Sequence, residues 1–145
     1  MPVDCLNLQA IPNRTSESEM APEIIFTQDA PKAIGPYSQA VKANGVVYIS
    51  GQIPIDPKTS ELVKSGIEDE VRQVMKNLSA IIEKSGSSID KVLKCNIYLK
   101  DMNDFDVVNK VYGEYFTEHK PARACVQVAR LPKDVSVEID AVCIC

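Results

Sequence analysis

Residues 135–144 read as one strand, apolar throughout on one face and mixed on the other. Val135, Val137, Ile139, Ala141 and Cys143 point one way; Ser136, Glu138, Asp140, Val142 and Ile144 point the other. The first face requires a covering layer. The second sets carboxylates among apolar side chains, which suits a subunit interface with a polar pocket better than open water. An oligomer is therefore expected.

The rest of the chain indicates what the covering layer is. Ile24-Ile25-Phe26 suits a short strand. Ser38 to Lys42 and Val46 to Ser50 flank Asn44-Gly45, the strongest short hairpin signal. Ile67, Val71, Val74, Met75, Leu78, Ile81 and Ile82 recur at helical spacing, with Gly86 as the stop. Val92 to Leu99 alternates as a strand. A second helix follows Asn103 as its N-cap, carries Phe105, Val108, Tyr112, Tyr115 and Phe116 on one face, and ends before Pro121. Ala124 to Ala129 and Val135 to Ile144 close the chain as strands joined through Leu131-Pro132-Lys133-Asp134. The order β-β-β-α-β-α-β-β makes an α+β domain whose two helices cover one face of a sheet.

Residues 1–22 stand apart. Pro2, Pro12 and Pro22 and the polar run Asn13 to Glu19 carry no sustained period, so 1–22 reads as a flexible extension and 23–145 as the single domain. A mitochondrial address is disfavoured, because the segment has one Arg against Asp4, Glu17 and Glu19. Five cysteines, an odd number with no signal-peptide pattern ahead of them, read as reduced thiols of a cytoplasmic protein. No apolar run approaches a membrane span. The formal net charge of −4 argues against a nucleic-acid partner.

The one histidine, His119, and the lack of Cys-x-x-Cys or His-x-x-x-His leave no evident metal site. His119 reads as a helix C-terminal residue favoured by the dipole. There is no Gly-x-Ser-x-Gly elbow or phosphate-cradling loop. What remains is Arg123 in an apolar strand and Glu138 in another. Arginine offers a planar fork that takes a carboxylate bidentately. If the last two strands pair as a hairpin in an odd-sum register, Arg123, Cys125 and Gln127 lie on the Glu138 side. By pattern alone, an Arg and a Glu on adjacent strands are usually a structural or solvated pair.

Several blocks of the sequence resemble a known family. They are Ala33-Ile34-Gly35-Pro36-Tyr37-Ser38-Gln39-Ala40, Val47-Tyr48-Ile49-Ser50-Gly51-Gln52-Ile53-Pro54, Asp101-Met102-Asn103-Asp104-Phe105 with Val108-Asn109, Pro121-Ala122-Arg123-Ala124-Cys125-Val126, and Leu131-Pro132-Lys133-Asp134 with Val137-Glu138-Ile139. In this order they resemble the RidA (YjgF) family of reactive-intermediate deaminases over about residues 24–145. The resemblance implies a chorismate-mutase-like α+β fold with a mixed sheet, and a homotrimer with pockets between subunits. It implies cofactor-free hydrolysis of 2-imino and enamino acids, such as 2-aminoacrylate, to 2-keto acids and ammonia. It makes Arg123 the holder of the substrate carboxylate and Glu138 the group that handles the attacking water. Tyr37, Ser50, Asn109 and Cys125 become pocket positions and Gly51 a backbone contact. Asp140, where relatives often carry Glu, reads as peripheral.

Other chemistries remain beside this one. Cys125 as a covalent nucleophile needs a base nearby, and His119 is the only imidazole. An endoribonuclease or translation inhibitor, and a non-catalytic metabolite-binding or chaperone-like module, are the alternative functions.

Overall fold

The computed structural model describes residues 21–145. The expected extension 1–22 lies almost wholly outside the described residues. The chain first forms β1 (Glu23–Ile25), β2 (Ala40–Ala43) and β3 (Val46–Gln52). Asn44 and Gly45 join the last two at φ 53° and 74°, the positive values that a two-residue turn of this hand requires. The hairpin signal is borne out.

Helix α1 (Ile67–Lys84) follows, as its spacing predicts. Gly66 caps it without a side-chain bond, and Glu68, Asp69 and Glu70 complement the dipole in its first turn. Gly86, at φ 87°, is the stop. Val71, Val74, Met75, Leu78, Ile81 and Ile82 are each 2% exposed or less. Burial of this kind stabilises by about 1.5–3 kcal/mol per side chain. Strand β4 (Val92–Leu99), helix α2 (Phe105–Tyr115), β5 (Ala122–Gln127) and β6 (Val137–Ile144) complete the domain. Asp101, not Asn103, opens the second helical region. Its side chain accepts from the Asn103 N–H, a 3₁₀ turn covers Met102–Asp104, and the α-helix begins at Phe105.

The sheet has six strands in the order β1-β2-β3-β6-β4-β5. Only β4 and β5 run parallel, so the sheet is mixed. Val47, Ile49, Cys95, Ile97, Val137, Ile139, Ala141 and Cys143 form one core with the apolar faces of α1 and α2. Among the described residues no layer covers the opposite face, and Tyr48, Val126 and Ile144 stand exposed there. Two helices on one face is therefore the observed architecture.

The terminal hairpin is not observed. β5 pairs with β4, and β6 passes to the centre between β3 and β4. The reason is visible in the residues. β6 has a fully apolar face, and Val137, Ile139, Ala141 and Cys143 are 0–2% exposed in a central position. β5 carries Arg123 and Gln127 toward the helices, where only an edge strand leaves such groups reachable.

Candidate functional site

Glu138 lies on the open face, opposite Tyr98 of β4. Its side chain passes over Gly51, where an added Cβ would collide with Oε1 and stand 2.8 Å from Cδ. Glycine at 51 therefore makes room for a carboxylate. Around this pair Ile34, Tyr37, Ser50, Ile53 and Pro132 enclose a cleft of about 380 Å³. Ser50 donates to the Ser38 carbonyl at 2.6 Å. The Tyr37 hydroxyl accepts from the Ile34 N–H at 3.2 Å.

Two buried amides support this cleft. Gln39 Oε1 accepts from the Thr27 N–H at 2.7 Å, and its Nε2 donates to the carbonyls of Thr27 and Pro31 at 3.0 and 2.8 Å. Asn77, on α1, donates to the carbonyls of Ile53 and Ile55 at 3.3 and 2.9 Å. Their only trace in the sequence is an amide beside apolar neighbours.

Burial, and secondarily the Asp140 carboxylate, raises the Glu138 pKa above the ordinary carboxylate value. Asp140 is held by Asn96 Nδ2 at 2.9 Å and Tyr98 Oη at 3.1 Å. Asp140, read as peripheral, is thus held by two side chains on the same face as Glu138 and adds to the upward shift of its pKa.

Arg123 is elsewhere. Its partner across the ladder is Cys95, on the helix-covered face. Cys125 and Gln127 share that face, opposite to Glu138. The odd-sum hairpin fails because β5 and β6 are not neighbours. Arg123 Nη1 donates to Asn109 Oδ1 at 2.7 Å. The guanidinium carbon stands 5.7 Å from the Phe105 ring centre and 5.1 Å from that of Tyr112. Both distances are within cation–π range. Among the described residues no carboxylate lies within ion-pair distance of Arg123.

The predicted residues therefore fall into two groups. Tyr37, Ser50, Gly51 and Glu138 gather on the open face, and Asn109, Arg123 and Cys125 on the helix side of edge strand β5. Cys125 packs against the core, and burial pushes its thiol pKa up, opposed in part by Arg123. It is a poor nucleophile in that state. His119 offers it no base, since Nε2 meets the Val92 carbonyl at 2.6 Å. His119 also lies beyond the end of α2 at Tyr115, so it is not the dipole-facing residue expected. Among the described residues no cluster of three His, Cys, Asp or Glu side chains could hold a metal. Nor is any helix there long and apolar enough to cross a membrane. Cys95, Cys125, Cys143 and Cys145 are free.

Residues 27–145 match the profile of the family described as endoribonuclease L-PSP. The chain is 60% identical over 120 residues to a RutC family protein of Pyrococcus horikoshii, covering 83% of this chain and 95% of that protein. It is 46% identical over 127 residues to the human 2-iminobutanoate/2-iminopropanoate deaminase, covering 88% and 93%. The solved structure of RidA from the Antarctic bacterium Psychrobacter superimposes with a TM-score of 0.82 at 46% identity, over 85% of this chain and 99% of that one.

Proposed function

We propose, from the premise that this chain belongs to the endoribonuclease L-PSP (RidA) family, that it hydrolyses short 2-imino and enamino acids to 2-keto acids and ammonia. The observation that carries this reading is Arg123, a fixed guanidinium with no acidic partner among the described residues. An arginine so placed is built to receive a carboxylate.

The chemistry asks little more than positioning. An enamino acid first takes a proton at its terminal carbon and becomes the imine. Arg123 holds the carboxylate, which fixes the adjacent imine carbon. Glu138 takes a proton from water as the water oxygen bonds to that carbon. It returns that proton to the nitrogen, giving a carbinolamine; Glu138 then takes the hydroxyl proton and passes it to the nitrogen as the C–N bond breaks, so that ammonia leaves and the keto acid remains. A carboxyl group with a raised pKa suits these transfers. Ile34, Ile53 and Pro132 offer apolar walls to a short side chain.

Arg123 and Glu138 occupy opposite faces of one sheet, so one copy presents two half-sites. We read the unlayered sheet face as a subunit interface. A homotrimer sets the Arg123 half of one copy against the Glu138 half of the next. Ammonia release is measured with a dehydratase that generates 2-aminoacrylate. At substrate well below KM, Arg123→Ala and Glu138→Gln are each expected to be nearly inactive. Their co-assembled 1:1 mixture regains activity in about one quarter of its pockets, since half the copies supply each intact half. A mixture no more active than its parts rejects the shared pocket. Unchanged turnover in both single variants rejects this site, and no acceleration of ammonia release over buffer by the wild type rejects the deaminase.

Endoribonuclease activity, which the family description names, finds less support. The only imidazole is engaged by the Val92 carbonyl and the chain is acidic.

A further inference from the structure

Phe105, Asn109 and Tyr112 are spaced by four and three residues, so α2 presents all three on one face. That face meets Arg123. Asn109 takes one wing of the fork at 2.7 Å, and the two rings stand 5.7 and 5.1 Å from the guanidinium carbon. A carboxylate in place of the rings would fix Arg123 equally well, but it would occupy the donors and cancel the charge. Aromatic faces attract the cation without accepting its in-plane hydrogen bonds. The remaining donors stay open.

We propose that Phe105 and Tyr112 are positioning residues that hold Arg123 ready for a substrate carboxylate, a role that rests on the reading of Arg123 given above. An arginine on an edge strand otherwise samples many rotamers, and ordering it on each binding event weakens affinity. The bracket orders it beforehand. Tyr112 is well seated for this: the residue is 7% exposed, and its ring packs at a tilt 4.7 Å from that of Phe116. Burial first, and then the neighbouring Cys95, holds its hydroxyl un-ionised, so the ring carries no charge of its own to pair with Arg123.

The test is steady-state hydrolysis of 2-aminoacrylate and inhibition by pyruvate, with melting temperature measured beside them. Phe105→Leu keeps most of the volume and loses the aromatic face. It is expected to raise KM and the pyruvate inhibition constant about three- to tenfold with kcat within twofold. Phe105→Tyr restores both constants, and Tyr112→Phe, which keeps the ring, leaves them near wild type. In the Arg123→Ala background, Phe105→Leu has no further effect on the residual rate. Unchanged constants in Phe105→Leu beside an impaired Arg123→Ala overturn the bracket alone. So does an equal loss in the Arg123→Ala background, or a fall in kcat that tracks melting temperature. Full turnover in Arg123→Ala overturns the carboxylate reading itself, and the bracket with it.

Discussion

The two half-sites hold their charges by opposite means. Arg123 stands exposed on an edge strand, flanked by aromatic rings and one amide, and no carboxylate among the described residues pairs with its charge. Glu138 is half-buried on a central strand, laid over a glycine and faced by a second carboxylate, and its charge is disfavoured. The difference fits a division of labour. A binding group needs a permanent charge and open donors. A proton-transfer group needs a pKa brought toward the working pH. Neither arrangement would serve the other purpose.

This division gives the largest expected effect. Glu138→Gln keeps the shape and removes the base, so kcat should fall by about 10²–10⁴-fold with little change in KM. Arg123→Ala removes charge-assisted hydrogen bonds worth about 1.5–3 kcal/mol each, so loss of a bidentate pair is at least about a hundredfold in kcat/KM, expressed chiefly in KM. The measurement is initial rate against substrate concentration. Identical splits between kcat and KM in the two variants would remove the distinction between the half-sites.

Gly51 sharpens the Glu138 side. A methyl group there must displace the carboxylate, because it would collide with Oε1. The carboxylate is the far end of a flexible side chain, so the fold should accommodate Gly51→Ala with a small change in melting temperature. Catalysis should not. Moving a reacting group by about 1 Å costs on the order of 10²-fold. Combined with Glu138→Gln, the substitution should add little, since the group it displaces is already inert. Additive losses in kcat would mean that Gly51 serves the pocket by some route other than Glu138.

Which parts of this were legible in the sequence follows from the range of the interactions involved. Local signals held. Asn44-Gly45 turned the chain, and the period from Ile67 to Ile82 formed α1. The two-faced pattern of residues 135–144 located a covered and an uncovered side of the sheet. Strand neighbours did not follow from sequence order. Consecutive strands tend to pair, yet β6 takes the centre because its Val137 and Ile139 need two neighbours and a helix layer. That non-local choice reversed the face assigned to Arg123. The blocks resembling a known family singled out Arg123, Glu138, Tyr37 and Gly51 without saying how they are disposed in one chain. Gln39, Asn77 and the Phe105–Tyr112 bracket left no signal, because a buried amide or a helix-face aromatic reads as core until its partner is known.

The smallest expected effect concerns Asp140. In the proposed reaction Glu138 acts as a base only when ionised, so the rate should rise with pH through its pKa. Burial first, and then Asp140, raises that pKa above the ordinary value of 4.5. Asp140→Asn removes the repulsion and leaves the burial. The acid limb of the pH–rate profile should therefore move to lower pH without reaching the unburied value. Stability has the corresponding sign. A carboxyl group with a raised folded-state pKa binds its proton more tightly when folded. Its contribution is therefore fully present below the unfolded pKa and is lost as pH rises through the folded one. In Asp140→Asn that loss with rising pH should be smaller. In assembled pockets an Arg123 from a second copy would pull the same pKa down. Profiles of Asp140→Asn in the wild-type and Arg123→Gln backgrounds separate the two influences. A limb that moves with neither substitution would belong to a group other than Glu138, and the pKa contrast between the half-sites would lose its role in catalysis.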